Sequence, residues 1–91
     1  MKVIWDPLKA KSNFHKHKVR FSDAESVLFD PLALTREDDD ADGEQRFVSV
    51  GMNATRQILT VVYAYRDDDK IRVISARVAT PKERWCYEKG I

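Results

Sequence analysis

KIRVISARVATPKERWCYEKG, residues 70–90, decides the fold. Its first half alternates and is rich in Ile and Val, which predicts a strand from Lys70 to Val78. Thr80-Pro81 then opens a helix. Thr80 is a capping residue, Pro81 suits the first helical position, and Glu83 stands where a capping box places its acid. A strand therefore runs directly into a C-terminal helix. The pair carries Arg72 and Arg77 on the strand and Lys82, Glu83, Arg84 and Tyr87 on the helix, a concentration of groups that bind phosphate or move protons. Arg72 and Arg77 are five residues apart, so an ideal strand points them to opposite faces. At most one then lies in the middle of a catalytic face.

Outward from this stretch, the rest of the chain reads as α+β. Val3, Ile4 and Trp5 form a short strand, and Asp6-Pro7 caps and starts a helix that ends near His17. Leu8, Ala10 and Phe14 supply its inward side. The basic Lys16-His17-Lys18 suits the negative end of the helix dipole. Ser22 with Glu25 reads as a second capping box opening a helix from Ser22 to Phe29, stopped by Asp30-Pro31. A short strand at Leu32 to Thr35 precedes the acidic loop. Three strands follow at Phe47–Met52, Gln57–Arg66 and Lys70–Val78, and the short turns between them imply antiparallel hairpins. The expected architecture is one domain, residues 1–91: two N-terminal helices on one face of a small, mainly antiparallel sheet, with a C-terminal helix.

The 91 residues are 43% hydrophobic and 34% charged, a soluble globular composition rather than a disordered one. The single cysteine, Cys86, excludes an intramolecular disulfide. No apolar run is long enough for a signal-peptide core or a membrane span. Both features imply a cytoplasmic protein. The net charge of +1 hides an uneven distribution: six of the 15 acids lie between Glu37 and Glu44, and no base does. Outside the acidic loops the surface is expected to be positive, which favours an anionic polymer as partner.

Several motifs weigh against specific chemistries. Asp38 to Gly43 contains the front half of a calcium loop, but the twelfth position is Ser49, inside an expected strand, where a bidentate Glu is needed. His15 and His17 have no cysteine or carboxylate at metal-ligand spacing, so neither metal nor cofactor is expected. There is no Gly-rich phosphate loop and no serine nucleophile signature. Cys86 reads as a small buried apolar side chain, and Tyr63, on one strand face with Leu59 and Val61, reads as core. Arginines remain the strongest clue. Arg46, Arg66, Arg72, Arg77 and Arg84 lie on or beside the last strands and helix, and guanidinium groups match phosphate bidentately.

These pieces resemble the BrnT family of toxins from bacterial type II toxin–antitoxin systems. The resemblance rests on W-D-P at 5–7, N-F-H-K-H-K-V-R-F at 13–21, D-P-L-A at 30–33, D-G-E-Q-R-F at 42–47 and R-V-I-S-A-R-V-A-T-P-K-E-R-W-C-Y-E at 72–88. It implies a RelE-like fold and a metal-independent endoribonuclease. It also implies neutralisation by a BrnA-like ribbon-helix-helix antitoxin, in a heterotetramer with two toxins that reaches operator DNA only through the antitoxin. One departure is visible: Lys18 stands where the family usually has glycine, at the left-handed residue that ends the first helix.

RNA is cut without metal when a base deprotonates the 2′-hydroxyl, cations stabilise the pentavalent phosphate and an acid protonates the leaving oxygen. The expected catalytic set is His17, Arg66, Arg72, Arg77, Glu83 and Tyr87. His17 or Glu83 is the candidate base, and His17 or Tyr87 the candidate acid. Lys16, Arg46, Lys82 and Arg84 are expected to bind RNA. Two competing readings stand beside this one: a non-catalytic nucleic-acid or protein-binding module using the same basic face, and a purely structural ion pair of Arg77 with Glu83 or with the acidic loop.

Overall fold

The computed structural model describes residues 1–39, 43–67 and 69–91. Residues 40–42, the middle of the acidic segment that carries the half calcium loop, lie outside the described residues. Five strands form one sheet: β1 (Lys2–Ile4), β2 (Leu34–Glu37), β3 (Phe47–Met52), β4 (Ile58–Arg66) and β5 (Lys70–Val78). Their spatial order is β1-β5-β4-β3-β2. The β2–β3, β3–β4 and β4–β5 pairs are antiparallel, and only β1–β5 is parallel. Three α-helices accompany the sheet: α1 (Pro7–His17), α2 (Phe21–Ala24) and α3 (Pro81–Lys89).

Two of the three expected caps form as expected. Asp6 accepts the Leu8 N–H at 2.9 Å, with Pro7 next in the chain. Thr80 and Glu83 make the full reciprocal capping box. The third does not form: α2 starts after Arg20, no side chain caps it, and after one turn it tightens into a 3₁₀ segment, Glu25–Phe29. The expected eight-residue helix from Ser22 is therefore a short α-turn followed by a 3₁₀ stretch. Burial is what holds it. Phe21, Ala24 and Val27 are nearly inaccessible beneath it, so tertiary packing overrides the local cap. The early strand lies one residue before its expected place, and β2 two residues after.

One sheet face packs on α1, α2 and the 3₁₀ segment. Leu59, Val61 and Tyr63 of β4 and Ile71, Val73 and Ala76 of β5 meet Val19, Phe21, Ala24 and Val27. Trp5 adds an edge-to-face contact to Phe21 at 6.1 Å. Tyr63 is core, as its strand position implied, and its hydroxyl shares a 2.9 Å hydrogen bond with Ser49, itself 2.8 Å from Thr35. Gly51 is where β3 passes closest to the preceding chain: a Cβ there would come within 3.1 Å of Ala33, Asp30 and Val27 atoms.

The inward side of α1 differs from expectation in part: Ala10 packs against the core as expected. Leu8 is 78% exposed, and the residue that α1 buries is Asn13. Its Nδ2 donates to the carbonyls of Ala76 at 2.8 Å and Val19 at 3.0 Å, and its Oδ1 accepts the Ala76 N–H at 3.1 Å. Because β1 pairs only with Lys70 to Arg72, the later half of β5 has no strand beyond it. Asn13 supplies the ladder bonds that a neighbouring strand would otherwise make.

Helix α1 ends at Lys18 in the left-handed conformation, φ 60° and ψ 25°, with its N–H bonded to the Phe14 carbonyl at 2.8 Å. The turn is thus kept although lysine replaces the usual glycine. A side chain in this conformation costs about 1 kcal/mol. Lys18→Gly is therefore expected to stabilise the protein by about 0.5–1 kcal/mol, raising the melting temperature by ~4 °C. Loss of the Lys18–Phe14 cation–π contact, at 5.9 Å, offsets a small part of this. A lower melting temperature in the glycine variant would contradict it.

Candidate active site

The second face of the sheet carries the arginines, and a bulge in β5 puts them there. Val62 pairs with Ser75 but Tyr63 pairs with Val73, so Ile74 is an extra residue with no partner. One extra residue inverts the alternation of everything beyond it. Arg72, opposite Ala64, and Arg77, opposite Thr60, consequently share a face. The spacing argument that set them on opposite faces holds only for an unbroken strand. Ser75 lies between them, Arg66 of β4 is opposite Lys70, and Arg36 of β2 is opposite Val48 on the same face.

Each of three arginines is held by a carboxylate. Arg77 makes a two-pronged pair with Glu83: Nη1 to Oε1 is 2.7 Å and Nη2 to Oε2 is 3.0 Å. Glu83 Oε1 also accepts the Thr80 N–H at 2.8 Å and the Thr60 hydroxyl at 3.0 Å. The Arg77 hydrogen bond is the main reason that the Glu83 carboxyl is held down at about 2, with the Thr80 and Thr60 bonds adding to it against the cost of burial. The same bond pushes the Arg77 guanidinium up. At the other end of the face, Glu44 joins two strands: its Oε1 lies 2.8 Å from Arg72 Nη2 and its Oε2 lies 3.0 Å from Arg66 Nη2. Glu44 and Thr60 were not among the expected site residues. The sequence signal for Glu44 is its place in the D-G-E-Q-R-F stretch at 42–47, directly after Gly43, whose φ is 83°.

These shifts fix the sign of an acid-stability effect. The folded-state value of Glu83 lies below its unfolded value. Its stabilisation is present above the unfolded carboxylate range near 4.5 and is lost as pH falls toward about 2. Thermal melts between those limits should show wild type losing stability that Glu83→Gln has already lost. Parallel acid limbs in the two proteins would contradict the assignment.

The remaining expected residues divide. Lys16 and His17, at the end of α1, line a small hollow with Ile74 and Ser75, which brings them to the edge of the arginine-bearing strand. Tyr87 does not join the arginines. Its hydroxyl donates to Asp30 at 2.6 Å, which fastens α3 to the end of β3, where Asp30 also accepts the Met52 N–H at 2.8 Å. That bond to Asp30, then burial, pushes the phenol up, making Tyr87 a weaker acid. Burial alone would raise the Asp30 carboxyl, but the Met52, Tyr87 and Leu32 hydrogen bonds hold it below its usual range. Arg46 precedes β3, and its Nε, like that of Arg72, is buried without an acceptor among the described residues. Arg84 is exposed on α3. Lys82 borders a cleft beside β2. Cys86 borders the same cleft and is half-buried, not the enclosed core residue its position suggested. Among the described residues no three His, Cys, Asp or Glu side chains converge as metal ligands.

Fold and site together define a class of protein: a small α+β domain with one sheet face sealed by helices and the other lined with arginines suited to phosphate. The model of the ribonuclease toxin BrnT of type II toxin–antitoxin systems matches residues 5–83. The chain belongs to the BrnT family, and is a ribonuclease toxin of such a system with an antitoxin as its partner. Among solved structures it is similar to the crystal structure of the Brucella abortus ribonuclease toxin BrnT. The identity is 28% and the TM-score 0.68, over 88% of this chain and 97% of that one. Comparison with curated proteins gives no significant match. No helix among the described residues is long and apolar enough to cross a membrane.

Proposed function

We propose that this toxin is a metal-independent, RelE-like endoribonuclease whose site is the arginine face of the sheet together with the end of α1. The observation that carries this reading is the Ile74 bulge: Arg72 and Arg77 share a face with Arg66 and Ser75, and Ser75 lines one hollow with His17. RNA phosphate displaces Glu44 from the Arg66 and Arg72 guanidinium groups it occupies in the free chain, while Glu83 stays on Arg77. Lys16, Lys82 and Arg84 extend the positive path for the strand.

In the reaction a base removes the 2′-hydroxyl proton and the resulting oxygen attacks the adjacent phosphorus. The bond from phosphorus to the 5′-oxygen breaks, that oxygen takes up a proton, and a 2′,3′-cyclic phosphate remains. Arg72 and Arg77 stabilise the charge that gathers on the phosphate, where a cation helps the transition state more than the ground state. His17 is the proton carrier in this reading, as the histidine that lines one hollow with Ser75 of the arginine-bearing strand. Glu83, held at about 2, is too weak a base for that role, and its task is to orient Arg77. Cleavage in the cytoplasm stops translation and growth until a BrnA-like ribbon-helix-helix antitoxin binds. A heterotetramer with two toxins then reaches operator DNA through the antitoxin.

Incubation of pure toxin with end-labelled RNA tests this. Cleavage to cyclic-phosphate ends is expected at an undiminished rate in EDTA. Cleavage abolished by EDTA and restored by a divalent metal would overturn the metal-independent reaction. RNA binding with no cleavage and no growth arrest would favour a binding module instead.

A further inference from the structure

The arginine face ends, toward the edge of the sheet, in a cleft whose apolar floor the proposed reaction does not use. It lies between α3 and the β2–β3 edge, with a volume of about 640 Å³. Leu34, Val48, Val50 and Cys86 line it, and Arg36 on β2 and Lys82 on α3 stand on opposite walls. Among the described residues neither of these two cations forms an ion pair, whereas Arg66, Arg72 and Arg77 all do. Strand β2 is the last of the sheet, so among the described residues its outer backbone edge has no partner strand.

We propose that this cleft seats the antitoxin through an acidic segment with an apolar anchor, a reading that rests on the toxin–antitoxin assignment above. The apolar floor fits a branched aliphatic side chain and offers little to a sugar-phosphate strand. The cations on both walls fit carboxylates on either side of that anchor. The free edge of β2 accepts an extended backbone alongside. Lys82 and Glu83 border the cleft, and Glu83 is the partner of Arg77. A segment seated there therefore lies against the Arg77–Glu83 pair and blocks RNA from the arginines, so docking and neutralisation are one event.

Cys86 is the single cysteine of the chain and lines this cleft, which makes it a natural reporter. The experiment uses whole toxin, free and in the complex co-purified with the product of its own operon. N-ethylmaleimide is expected to modify Cys86 at least about tenfold more slowly in the complex than in free toxin. Independently, Arg36→Glu is expected to raise the dissociation constant for the antitoxin about tenfold or more, with slower association, while its melting temperature stays at the wild-type value. Equal Cys86 labelling in both states would overturn the proposal. So would wild-type antitoxin affinity in Arg36→Glu, or Arg36→Glu losing RNA binding alone, which would assign the cleft to RNA. If wild-type toxin binds no operon-encoded protein at all, the toxin–antitoxin reading fails first, and this one with it.

Discussion

Arg77→Ala is expected to lower RNA cleavage by about 10²–10³-fold and to relieve growth arrest, the effect of removing one charge-stabilising donor from a reaction centre. Arg77→Lys should recover only part of the activity, because an ammonium keeps the charge but not the two-pronged geometry. The competing account is that the Arg77–Glu83 pair is structural. Its own geometry argues for a small structural share. The Arg77 side chain is 39% exposed, and pairs open to solvent contribute little to stability. Glu83 also keeps the Thr60 and Thr80 donors when the guanidinium is gone. The alanine variant should therefore stay folded. Glu83→Gln provides the converse: if Glu83 orients Arg77, most cleavage survives, and if it is the base, cleavage collapses. Kinetics with melts on all three variants decide the matter. An Arg77→Ala protein that is unfolded at the assay temperature, or that cuts RNA at close to the wild-type rate, would remove Arg77 from the catalytic set.

The second large effect is on stability. Asn13→Ala orphans the Ala76 N–H and the carbonyls of Ala76 and Val19, all at a site where the asparagine is only 8% exposed. Each buried group left without a partner costs about 1–3 kcal/mol, so a loss of about 3 kcal/mol or more is expected. That is a large part of the ~5–15 kcal/mol available to a domain of this kind. Asn13→Asp should be nearly as damaging, because a carboxylate accepts the Ala76 N–H but turns its other oxygen on carbonyls that need a donor. Urea titration measures this directly. A loss below about 1 kcal/mol in both variants would mean that the edge of β5 finds its hydrogen bonds elsewhere. The consequence extends to the proposed site, since Asn13 fixes α1 one turn before His17, and His17 lines one hollow with Ser75.

Local chemistry determined much of this protein from the sequence alone. Pro7 after Asp6, Pro81 after Thr80 with Glu83, and the alternation of β3, β4 and β5 each depend on residues within a few positions of one another. Such signals survive because capping, turn geometry and strand pleat are short-range. Tertiary structure alone decided the rest. The extra residue Ile74 looks like any other in an Ile/Val-rich run, yet it inverts the face of every side chain beyond it and so puts Arg72 and Arg77 together. Asn13 looks like an ordinary helix residue until the open edge of β5, 63 residues away in sequence, is brought against it. Glu44 acquires its role only when Arg66 and Arg72 arrive from two other strands. In each case the deciding partner is remote in the chain, and a hydrogen bond or a change of strand register depends on positions in space that no local pattern encodes.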